Sequence, residues 1–245
     1  MDMGIQEFPL DELPSIELVA SMIDHSLLRP ELTAQEITDG LAIARSYKVA
    51  SACVRPSDVE RATAELAGSN VMVSTVIGFP HGSCTTRTKV GEVVEAMSLG
   101  ADEFDMVIHI GALRSHDTSY VAQDIFAVVD AASGRTVKVI LENAYLTNEE
   151  KVLGCHLAEA AGAQFVKTST GYAPGGATLE DIVLMRANVS PHIGVKAAGG
   201  VRTLDVLLAM ARAGATRFGA TATIDILDDL NERQAAIAAS ADNGR

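Results

Sequence analysis

The amino-acid sequence predicts an α/β protein, a single-domain (β/α)8 TIM barrel with a short N-terminal capping segment. The chain has 245 residues, of which 48% are hydrophobic, and this length suits one such barrel. Short apolar runs alternate with amphipathic helical stretches, and no Pro/Ser-rich linker or low-complexity stretch interrupts them. We therefore assign residues 1–20 to the capping segment and residues 21–245 to the barrel.

The predicted strands are short runs that are rich in β-branched residues. The runs at 71–77 and 137–141 are nearly continuously hydrophobic, which is typical of parallel strands covered on both faces. Eight alternations of strand and helix favour a closed barrel over an open doubly wound sheet, and the first strand-to-helix turn lacks a Gly-x-Gly-x-x-Gly motif. In chain order the strands are predicted at 21–27, 50–54, 71–77, 103–109, 136–142, 164–168, 192–197 and 216–219, each followed by a helix.

The helix boundaries agree with this order. Thr33 with Glu36, and Thr147 with Glu150, have the spacing of a capping box, in which the two side chains satisfy free backbone N–H groups at the start of a helix. A Gly-Ala step follows three of the helical stretches and precedes three predicted strands. Its glycines can adopt the left-handed conformation that ends a helix, and they are Gly100, Gly162 and Gly214.

Charge and cysteine content exclude several classes of protein. The 19 Lys and Arg against 32 Asp and Glu give a net charge of −13, so the average surface repels nucleic acid and acidic lipid. The cysteines are three in number, far apart and without Cys-x-x-Cys spacing, which predicts reduced thiols and no zinc site. The first residues are acidic, and no run reaches the roughly 18 apolar residues of a membrane span. These features predict a cytoplasmic protein without membrane or nucleic-acid partners.

Charged residues inside apolar strands are the first candidates for chemistry, because the active site of a TIM barrel lies at the C-terminal ends of its strands. Burial disfavours the charged form of a lysine, and a second lysine nearby lowers its pKa further. Neighbouring strands six and seven can bring Lys167 and Lys196 side by side, so that one stays partly neutral and attacks a carbonyl. The residue types alone leave open an alternative in which each lysine simply pairs with Asp105 or Glu142.

Two glycine-containing loops predict a phosphate site at the same end of the barrel. The loop 199–202 follows strand seven, and the loop 219–223 follows strand eight. TIM barrels commonly hold phosphate in these two loops, through backbone N–H groups and a helix N-terminus. Because the overall charge is negative, Arg202 is the one cation that we expect to help. The three histidines His81, His109 and His192 fall on different elements, which does not favour a metal site.

Several segments together resemble the deoxyribose-phosphate aldolase family, in that family's order, from about residue 21 to residue 223. The lysine motif Lys167-Thr168-Ser169-Thr170-Gly171 is the most specific of them. The others are Asp24-His25-Ser26-Leu27-Leu28, Gly78-Phe79-Pro80-His81-Gly82, Gly100-Ala101-Asp102-Glu103-Phe104-Asp105-Met106-Val107 and Val195-Lys196-Ala197-Ala198-Gly199-Gly200-Val201-Arg202-Thr203.

The resemblance implies a metal-free and cofactor-free aldolase of deoxyribose phosphate catabolism. It implies reversible cleavage of 2-deoxy-D-ribose 5-phosphate into D-glyceraldehyde 3-phosphate and acetaldehyde. Lys167 would form the Schiff base, Lys196 would lower its pKa, and Asp105 would relay protons, through water. Residues at or near the family's site are Asp24, Cys53 and Lys138, and the phosphate-binding residues are Gly171, Gly199, Gly200, Val201, Arg202, Gly219 and Thr221. A homodimer or higher homo-oligomer is also implied.

Two alternatives stay open, and three departures from the family pattern motivate the first of them. Ala222 follows Thr221 where many relatives have a second hydroxyl, and His109 and Asn143 replace residues that are frequent near the barrel mouth. The first alternative is a related lysine-dependent aldolase with a different aldehyde acceptor. The second is a non-catalytic barrel that binds phosphosugars, although such a barrel has no need of two lysines at strand ends.

Overall fold

The computed structural model describes residues 13–242, and in this range eight parallel strands close into a barrel in sequence order. The last strand pairs with the first, so the sheet has no free edge. This confirms the predicted TIM barrel. The strands are β1 (Ile23–Leu27), β2 (Ser51–Val54), β3 (Met72–Ile77), β4 (Glu103–Val107), β5 (Thr136–Ile140), β6 (Phe165–Lys167), β7 (Gly194–Ala198) and β8 (Arg217–Ala220).

Helices cover the outside of the barrel. They are α1 (Ile16–Ala20), α2 (Ala34–Tyr47), α3 (Val59–Leu66), α4 (Thr86–Ser98), α5 (Ile110–Arg114), α6 (Thr118–Ala131), α7 (Asn148–Ala160), α8 (Leu179–Ala187), α9 (Leu204–Arg212) and α10 (Thr223–Asp242). Short 3-10 helices follow β2 at Pro56–Asp58 and β5 at Asn143–Tyr145. Two helices, α5 and α6, follow β4, where the sequence pattern predicted one.

The local signals at helix ends are confirmed. Both predicted capping boxes are formed, with reciprocal hydrogen bonds between each threonine and its glutamate. The glycines of the three Gly-Ala steps, Gly100, Gly162 and Gly214, all have positive φ. Each of these steps therefore ends a helix and turns the chain into the next strand, as the sequence predicted.

Two predicted strands extend two residues too far at their C-terminal ends. β4 ends at Val107 instead of residue 109, because His109 begins the next helix and its Nδ1 accepts a hydrogen bond from Ala112 N at 3.1 Å. β5 ends at Ile140 instead of residue 142, because Glu142 adopts a left-handed conformation with φ 59°. At both places the backbone leaves the sheet two residues earlier than predicted.

The segment before the barrel contains a short helix. Val19 and Ala20 of α1 are buried, and Gln234 on α10 donates a hydrogen bond to Pro14 O at 2.7 Å, so α1 lies against α10. Residues 1–12 and 243–245 lie outside the described residues. The capping role of residues 1–20 and the boundaries of the barrel domain therefore stay predictions. Within 13–242, no helix has both the length and the apolar character needed to cross a membrane.

A buried ion pair outside the barrel interior connects α4 with α6. Lys89 Nζ lies 2.5 Å from Asp124 Oδ2 and donates a second hydrogen bond to Val107 O, at the end of β4, at 2.9 Å. Thr86 Oγ1 donates to the other carboxylate oxygen at 2.8 Å. Both charged side chains are fully buried. The pair ties the two helices to the C-terminal end of a strand, close to the mouth of the barrel.

We expect Lys89→Met to lower the free energy of unfolding by about 3–5 kcal/mol, because it leaves the Asp124 carboxylate buried without its cation. The double variant Lys89→Met with Asp124→Leu removes both charges and is expected to recover most of that loss. Urea denaturation at neutral pH measures both effects. Equal losses in the single and double variants would contradict this account of the pair.

Candidate active site

Seven ionisable side chains are buried inside the barrel, and we call them the buried charge cluster. Three are acids and four are bases, and they come from six of the strands. Each of them contacts at least one partner of opposite charge. Its members are Asp24 on β1, Glu103 and Asp105 on β4, Lys138 on β5, Lys167 on β6, Lys196 on β7 and Arg217 on β8.

The two lysines that the sequence pattern selected lie side by side. Lys167 and Lys196 are direct partners in the β6–β7 register. Each amine donates to the same oxygen, Asp105 Oδ2, at 2.6 Å, and Lys196 also contacts Asp24 Oδ2. The structure thus places Lys167, Lys196 and Asp105 in one contact group.

The two amines have opposite pKa shifts. Burial lowers the pKa of Lys167, and the charge of Lys196 lowers it further, against the opposing effect of Asp105. Burial alone would also lower the pKa of Lys196, but Asp105 and Asp24 together raise it above the ordinary value. The difference follows from the contacts, because Lys196 touches two carboxylates and Lys167 touches one. Lys167 is therefore the amine that more readily loses its proton.

Asp105 is held as a carboxylate. Burial favours its neutral form, but Lys138, Lys167 and Lys196 hold its pKa well below the usual range. Lys138 donates to Asp105 Oδ1 at 2.9 Å, on the oxygen that the other two lysines leave free. Burial opposes the charge of Lys138 too, yet Asp105, Asp24 and Glu103 raise the pKa of Lys138. The resting site therefore contains an ionised Asp105 fixed by three amines.

Two members of the buried charge cluster were not singled out by the sequence pattern. Arg217 donates to Asp24 Oδ1 at 2.7 Å and lies 3.4 Å from Glu103 Oε1, and Glu103 Oε2 lies 2.6 Å from Lys138 Nζ. Glu103 and Arg217 are the first residues of β4 and β8, whereas the prediction concentrated on the C-terminal ends of strands. Glu103 stands two residues before Asp105, and this spacing places them on the same face of β4. That spacing was the available signal.

The charges of the cluster balance when Lys167 is neutral. Asp24, Glu103 and Asp105 carry three negative charges, and Lys138, Lys196 and Arg217 carry three positive ones. A fourth cation in the same buried volume would be uncompensated, which costs several kcal/mol in a site of low polarity. Charge balance and the lowered pKa thus agree that Lys167 is the amine of the cluster that most readily loses its proton.

The loop that follows Lys167 is fixed by hydrogen bonds to neighbouring strands. Thr168 N donates to Lys196 O at 3.0 Å, and the Thr168 hydroxyl bridges to the backbone of Ala198. The Glu142 carboxylate accepts from the backbone N of Thr170 at 3.2 Å and from its hydroxyl. Glu142 thus contacts Thr170, and of the two lysine partners considered from the sequence, Asp105 and Glu142, only Asp105 contacts Lys167 and Lys196. Lys167 is consequently held in one position at the end of its strand.

A cavity of about 530 Å³ opens at the C-terminal end of the barrel, above the lysines. It contains Lys167 and Lys196 at its base, whereas Asp105 and Lys138 lie behind them and do not line it. Predicted residues that line the cavity are Asp24, Cys53, Lys167, Lys196, Gly171, Gly199, Gly200, Val201, Arg202, Gly219 and Thr221. One space therefore brings the candidate nucleophile and all the candidate phosphate residues together.

The loop after β7 requires glycine for close backbone contact. Gly199 and Gly200 have φ of 81° and 86°, and a Cβ on Gly176 would lie 2.3 Å from Gly199 O. Ala177 N donates to Gly199 O at 2.9 Å, so the loops after β6 and β7 are joined. Arg29 also lines the cavity and lies 3.4 Å from Glu31. The cavity lining thus contains a second guanidinium besides that of Arg202, which the sequence pattern did not predict.

An aromatic side chain spans part of the cavity mouth. Tyr172, after β6, donates its hydroxyl proton to Leu28 O, after β1, at 2.8 Å. Its ring meets Phe79, after β3, edge to face at a centroid distance of 5.4 Å. Tyr172 therefore connects three strand-end loops above the lysines. No local sequence signal indicates these contacts, because the partners are distant in the chain.

The contacts of the remaining candidate residues show where each of them lies relative to the cavity. Burial raises the pKa of the Cys53 thiol, so Cys53 stays neutral beside the lysines. His109 caps a helix and His192 is exposed at the surface, and neither lines the cavity. Asn143 is buried, and its amide contacts Met185 of α8 at 3.3 Å. The predicted effect of His109 and Asn143 on an acceptor pocket therefore has no direct contact to support it.

Within the described range 13–242, no three His, Cys, Asp or Glu side chains converge as metal ligands. The acids of the buried charge cluster are paired with amines and a guanidinium instead. This arrangement is suited to proton transfer and amine chemistry, because cations already occupy the positions around the carboxylates.

Comparison with known proteins agrees with this geometry. A model of the DeoC/LacD family of aldolases matches residues 18–228, and the chain belongs to that family. The protein is an aldolase. A deoxyribose-phosphate aldolase from Bacillus mycoides is 50% identical over 219 residues, which cover 89% of this chain and 97% of the relative. One from Macrococcus caseolyticus is 52% identical over 209 residues, which cover 85% and 95%.

A solved structure extends the comparison to the fold. The tetrameric deoxyribose phosphate aldolase from Aeropyrum pernix has a TM-score of 0.83 and 29% identity to this chain. The match covers 89% of this chain and 92% of the other. The resemblance drawn from short motifs is thus confirmed along most of the chain.

Proposed function

We propose that this aldolase cleaves 2-deoxy-D-ribose 5-phosphate reversibly into D-glyceraldehyde 3-phosphate and acetaldehyde by a class I mechanism. Lys167 forms the Schiff base. One observation carries the proposal: a buried lysine with a lowered pKa lies at the base of an open cavity whose rim consists of glycine loops. An amine must be neutral to attack a carbonyl, and Lys167 is the lysine of the cluster whose pKa is lowered, whereas the pKa values of Lys138 and Lys196 are raised.

The reaction begins on the open-chain aldehyde. The Lys167 nitrogen attacks the aldehyde carbon, and the carbinolamine loses water to give a protonated imine. A base then removes the proton of the C3 hydroxyl, the bond between C2 and C3 breaks, and its electron pair moves into the imine to give an enamine. Glyceraldehyde 3-phosphate leaves at this point. Protonation of the enamine carbon and hydrolysis release acetaldehyde and regenerate the Lys167 amine.

Asp105 and Lys196 divide the proton transfers between them. Asp105 is ionised, so its first task is to accept a proton. This proton comes from the substrate hydroxyl and reaches Asp105 through a water molecule. Lys196 is charged, so it is the donor within reach of the same carboxylate oxygen. Because Lys167 contacts that oxygen as well, a proton moves among the three groups without leaving the contact group.

The supporting residues hold this arrangement in place. Asp24 shares one oxygen with Lys196 and the other with Arg217, and it stays ionised because these cations outweigh the effect of burial on its pKa. Lys138 fixes the second oxygen of Asp105. Cys53 contributes a small neutral side chain to the lining of the cavity. None of these three needs to react with the substrate.

The substrate phosphate binds to the loops above the lysines. Backbone N–H groups of Gly171, Gly199, Gly200 and Gly219 provide donors, and the Arg202 guanidinium adds the charge that the acidic surface lacks. Thr221 contributes a hydroxyl and Val201 an apolar contact. The enzyme works without metal or other cofactor, in the cytoplasm, in deoxyribose phosphate catabolism. It assembles as a homodimer or larger homo-oligomer.

A substrate profile tests this function. Purified protein is expected to release acetaldehyde from 2-deoxy-D-ribose 5-phosphate at an unchanged rate in the presence of a chelator. The unphosphorylated sugar is expected to react with a higher KM, because it lacks the phosphate contacts. A related aldolase with another acceptor would prefer a different phosphorylated or unphosphorylated aldehyde. Absence of turnover with tight binding of phosphosugars would instead support a non-catalytic barrel.

Ala222→Ser is expected to lower the KM for the phosphorylated substrate by about fivefold, since one regained hydrogen bond contributes on the order of 1 kcal/mol. Ala222 stands between Thr221, which lines the cavity, and the first residue of α10. Steady-state kinetics with 2-deoxy-D-ribose as the matched control separate phosphate binding from other effects. A KM that is unchanged or raised for the phosphorylated sugar would count against phosphate at this loop.

A further inference from the structure

A buried hydrogen bond joins the first strand to the start of the last helix. His25 Nδ1 lies 2.8 Å from Thr223 Oγ1, and both side chains are buried. Successive side chains of a strand point to opposite faces, and the neighbour Asp24 points into the cavity. His25 therefore faces outward, behind the cavity wall, and it does not line the cavity. The catalytic steps proposed above do not use this contact.

His25 contacts the segments on both sides of the loop after β8. Its backbone is in register with Ala220, the last residue of β8, while its side chain contacts Thr223, the first residue of α10. Only Thr221 and Ala222 lie between these two points. One residue of β1 thus holds both ends of a two-residue loop. Thr221 in that loop lines the cavity.

His25 does not act on this loop through charge. Burial lowers the pKa of His25 to about 4, so its imidazole is neutral at pH 7. A neutral imidazole offers one donor and one acceptor nitrogen, and either suits a threonine hydroxyl. The contact is therefore a neutral bond whose contribution is geometric.

Geometry matters for a phosphate site of this composition. Backbone N–H groups bind an anion well only when several of them converge on it, and a mobile loop loses affinity because its ordering opposes binding. The loop after β8 has alanine at the residue before α10, so no side chain at that position can cap the helix. The His25 contact with Thr223 is the side-chain bond that fixes this end of the loop within the described residues.

We propose that His25 and Thr223 are positioning residues for the phosphate subsite: their hydrogen bond holds the Thr221–Ala222 loop so that its N–H groups face the substrate phosphate. The inference rests on the proposed function, because it assumes that phosphate binds at this loop. It adds two residues that touch neither the substrate nor the reacting lysines. They affect affinity for the phosphoryl group and leave the chemical step unchanged.

Thr223→Val is the principal test, since it removes the hydroxyl and keeps the shape of the side chain. Thr223→Ser is the matched control that keeps the hydroxyl. His25→Leu and His25→Asn form a second pair, in which asparagine places a polar atom near the position of Nδ1. For each variant, kcat and KM are measured with 2-deoxy-D-ribose 5-phosphate and with 2-deoxy-D-ribose. The inhibition constant of inorganic phosphate is measured against the unphosphorylated sugar.

The expected result is a split between the two substrates. Thr223→Val and His25→Leu raise the KM for the phosphorylated sugar and the inhibition constant of phosphate roughly fivefold to tenfold, with kcat unchanged. Kinetics with 2-deoxy-D-ribose stay at the wild-type level, and Thr223→Ser and His25→Asn resemble the wild type. An equal loss with both sugars would show that the pair only supports the fold, and no change with either would also overturn the proposal.

Failure of the underlying function gives a different result. A wild-type protein that does not discriminate between the two sugars, and that phosphate does not inhibit, has no phosphate subsite at these loops. That outcome removes the proposed function together with the role of His25. A wild-type protein that prefers the phosphorylated sugar, with variants that keep this preference, removes the role of His25 alone.

Discussion

Lys196→Leu is expected to lower kcat/KM at pH 7 by between about a hundredfold and ten-thousandfold, the usual contribution of a proton-transfer group, while the fold is retained. Lys196 is a cation beside Lys167, and its charge lowers the pKa of Lys167. Without that charge the pKa of Lys167 rises, and less neutral amine is present at pH 7. The acid limb of the rate profile therefore moves to higher pH, and activity recovers in part under alkaline conditions.

The fold tolerates this substitution because neither neighbouring carboxylate loses its last partner. Asp24 keeps Arg217 at 2.7 Å, and Asp105 keeps Lys138 at 2.9 Å. Lys196→Arg is the matched control, because it keeps the positive charge and should keep the acid limb near its wild-type position. Circular dichroism checks folding in both variants. Wild-type rates with a flat pH response in Lys196→Leu would show that Lys196 is structural.

The buried charge cluster is expected to contribute little to stability, which favours a functional reason for it. Seven ionisable groups inside one barrel all lose hydration, and ion pairs in such surroundings often stabilise no more than apolar residues of the same volume. Lys167 adds a further cost, because burial makes its pKa lower in the folded protein than in the unfolded chain, so that protonation of this amine favours unfolding. A barrel selected for stability alone would place branched apolar residues at these positions.

The barrel itself was predictable from the sequence because its signals are local. Apolar runs, capping boxes and left-handed glycines each involve a few neighbouring residues, and all of them are confirmed. The ends of the strands were less predictable. Where β5 ends depends on Glu142, whose carboxylate contacts Thr170 on the next loop, 28 residues away. A contact of this kind leaves no trace in the local pattern.

In the candidate site, too, some residues could be predicted from local sequence signals and others could not. Lys167, Lys196 and Asp105 were identifiable because a charged residue inside an apolar run is unusual. Arg217 and Glu103 were missed because they open their strands, although the two-residue spacing of Glu103 and Asp105 indicated a shared face. The remaining contacts bridge distant parts of the chain, including the bond between His25 and Thr223, 198 residues apart. Only the folded structure brings them together.

The test with the largest expected effect concerns Lys167. When the protein is incubated with acetaldehyde and sodium borohydride, reduction of the imine should leave an ethyl group on a single lysine, and peptide mapping should place it at Lys167. Lys196 is the rival site, since it lines the same cavity. Lys138 has no access to the cavity and serves as an internal control for buried amines. Omission of acetaldehyde controls for labelling that does not depend on an imine.

Lys167→Ala should abolish both the labelling and the cleavage of 2-deoxy-D-ribose 5-phosphate, with a loss of at least about a thousandfold, because the nucleophile itself is gone. The variant should remain folded, since it leaves Asp105 paired with Lys138 and Lys196. Labelling at Lys196 in the wild type would exchange the roles of the two lysines. Labelling at neither lysine, in protein that still turns over substrate, would rule out a Schiff base and with it the class I mechanism.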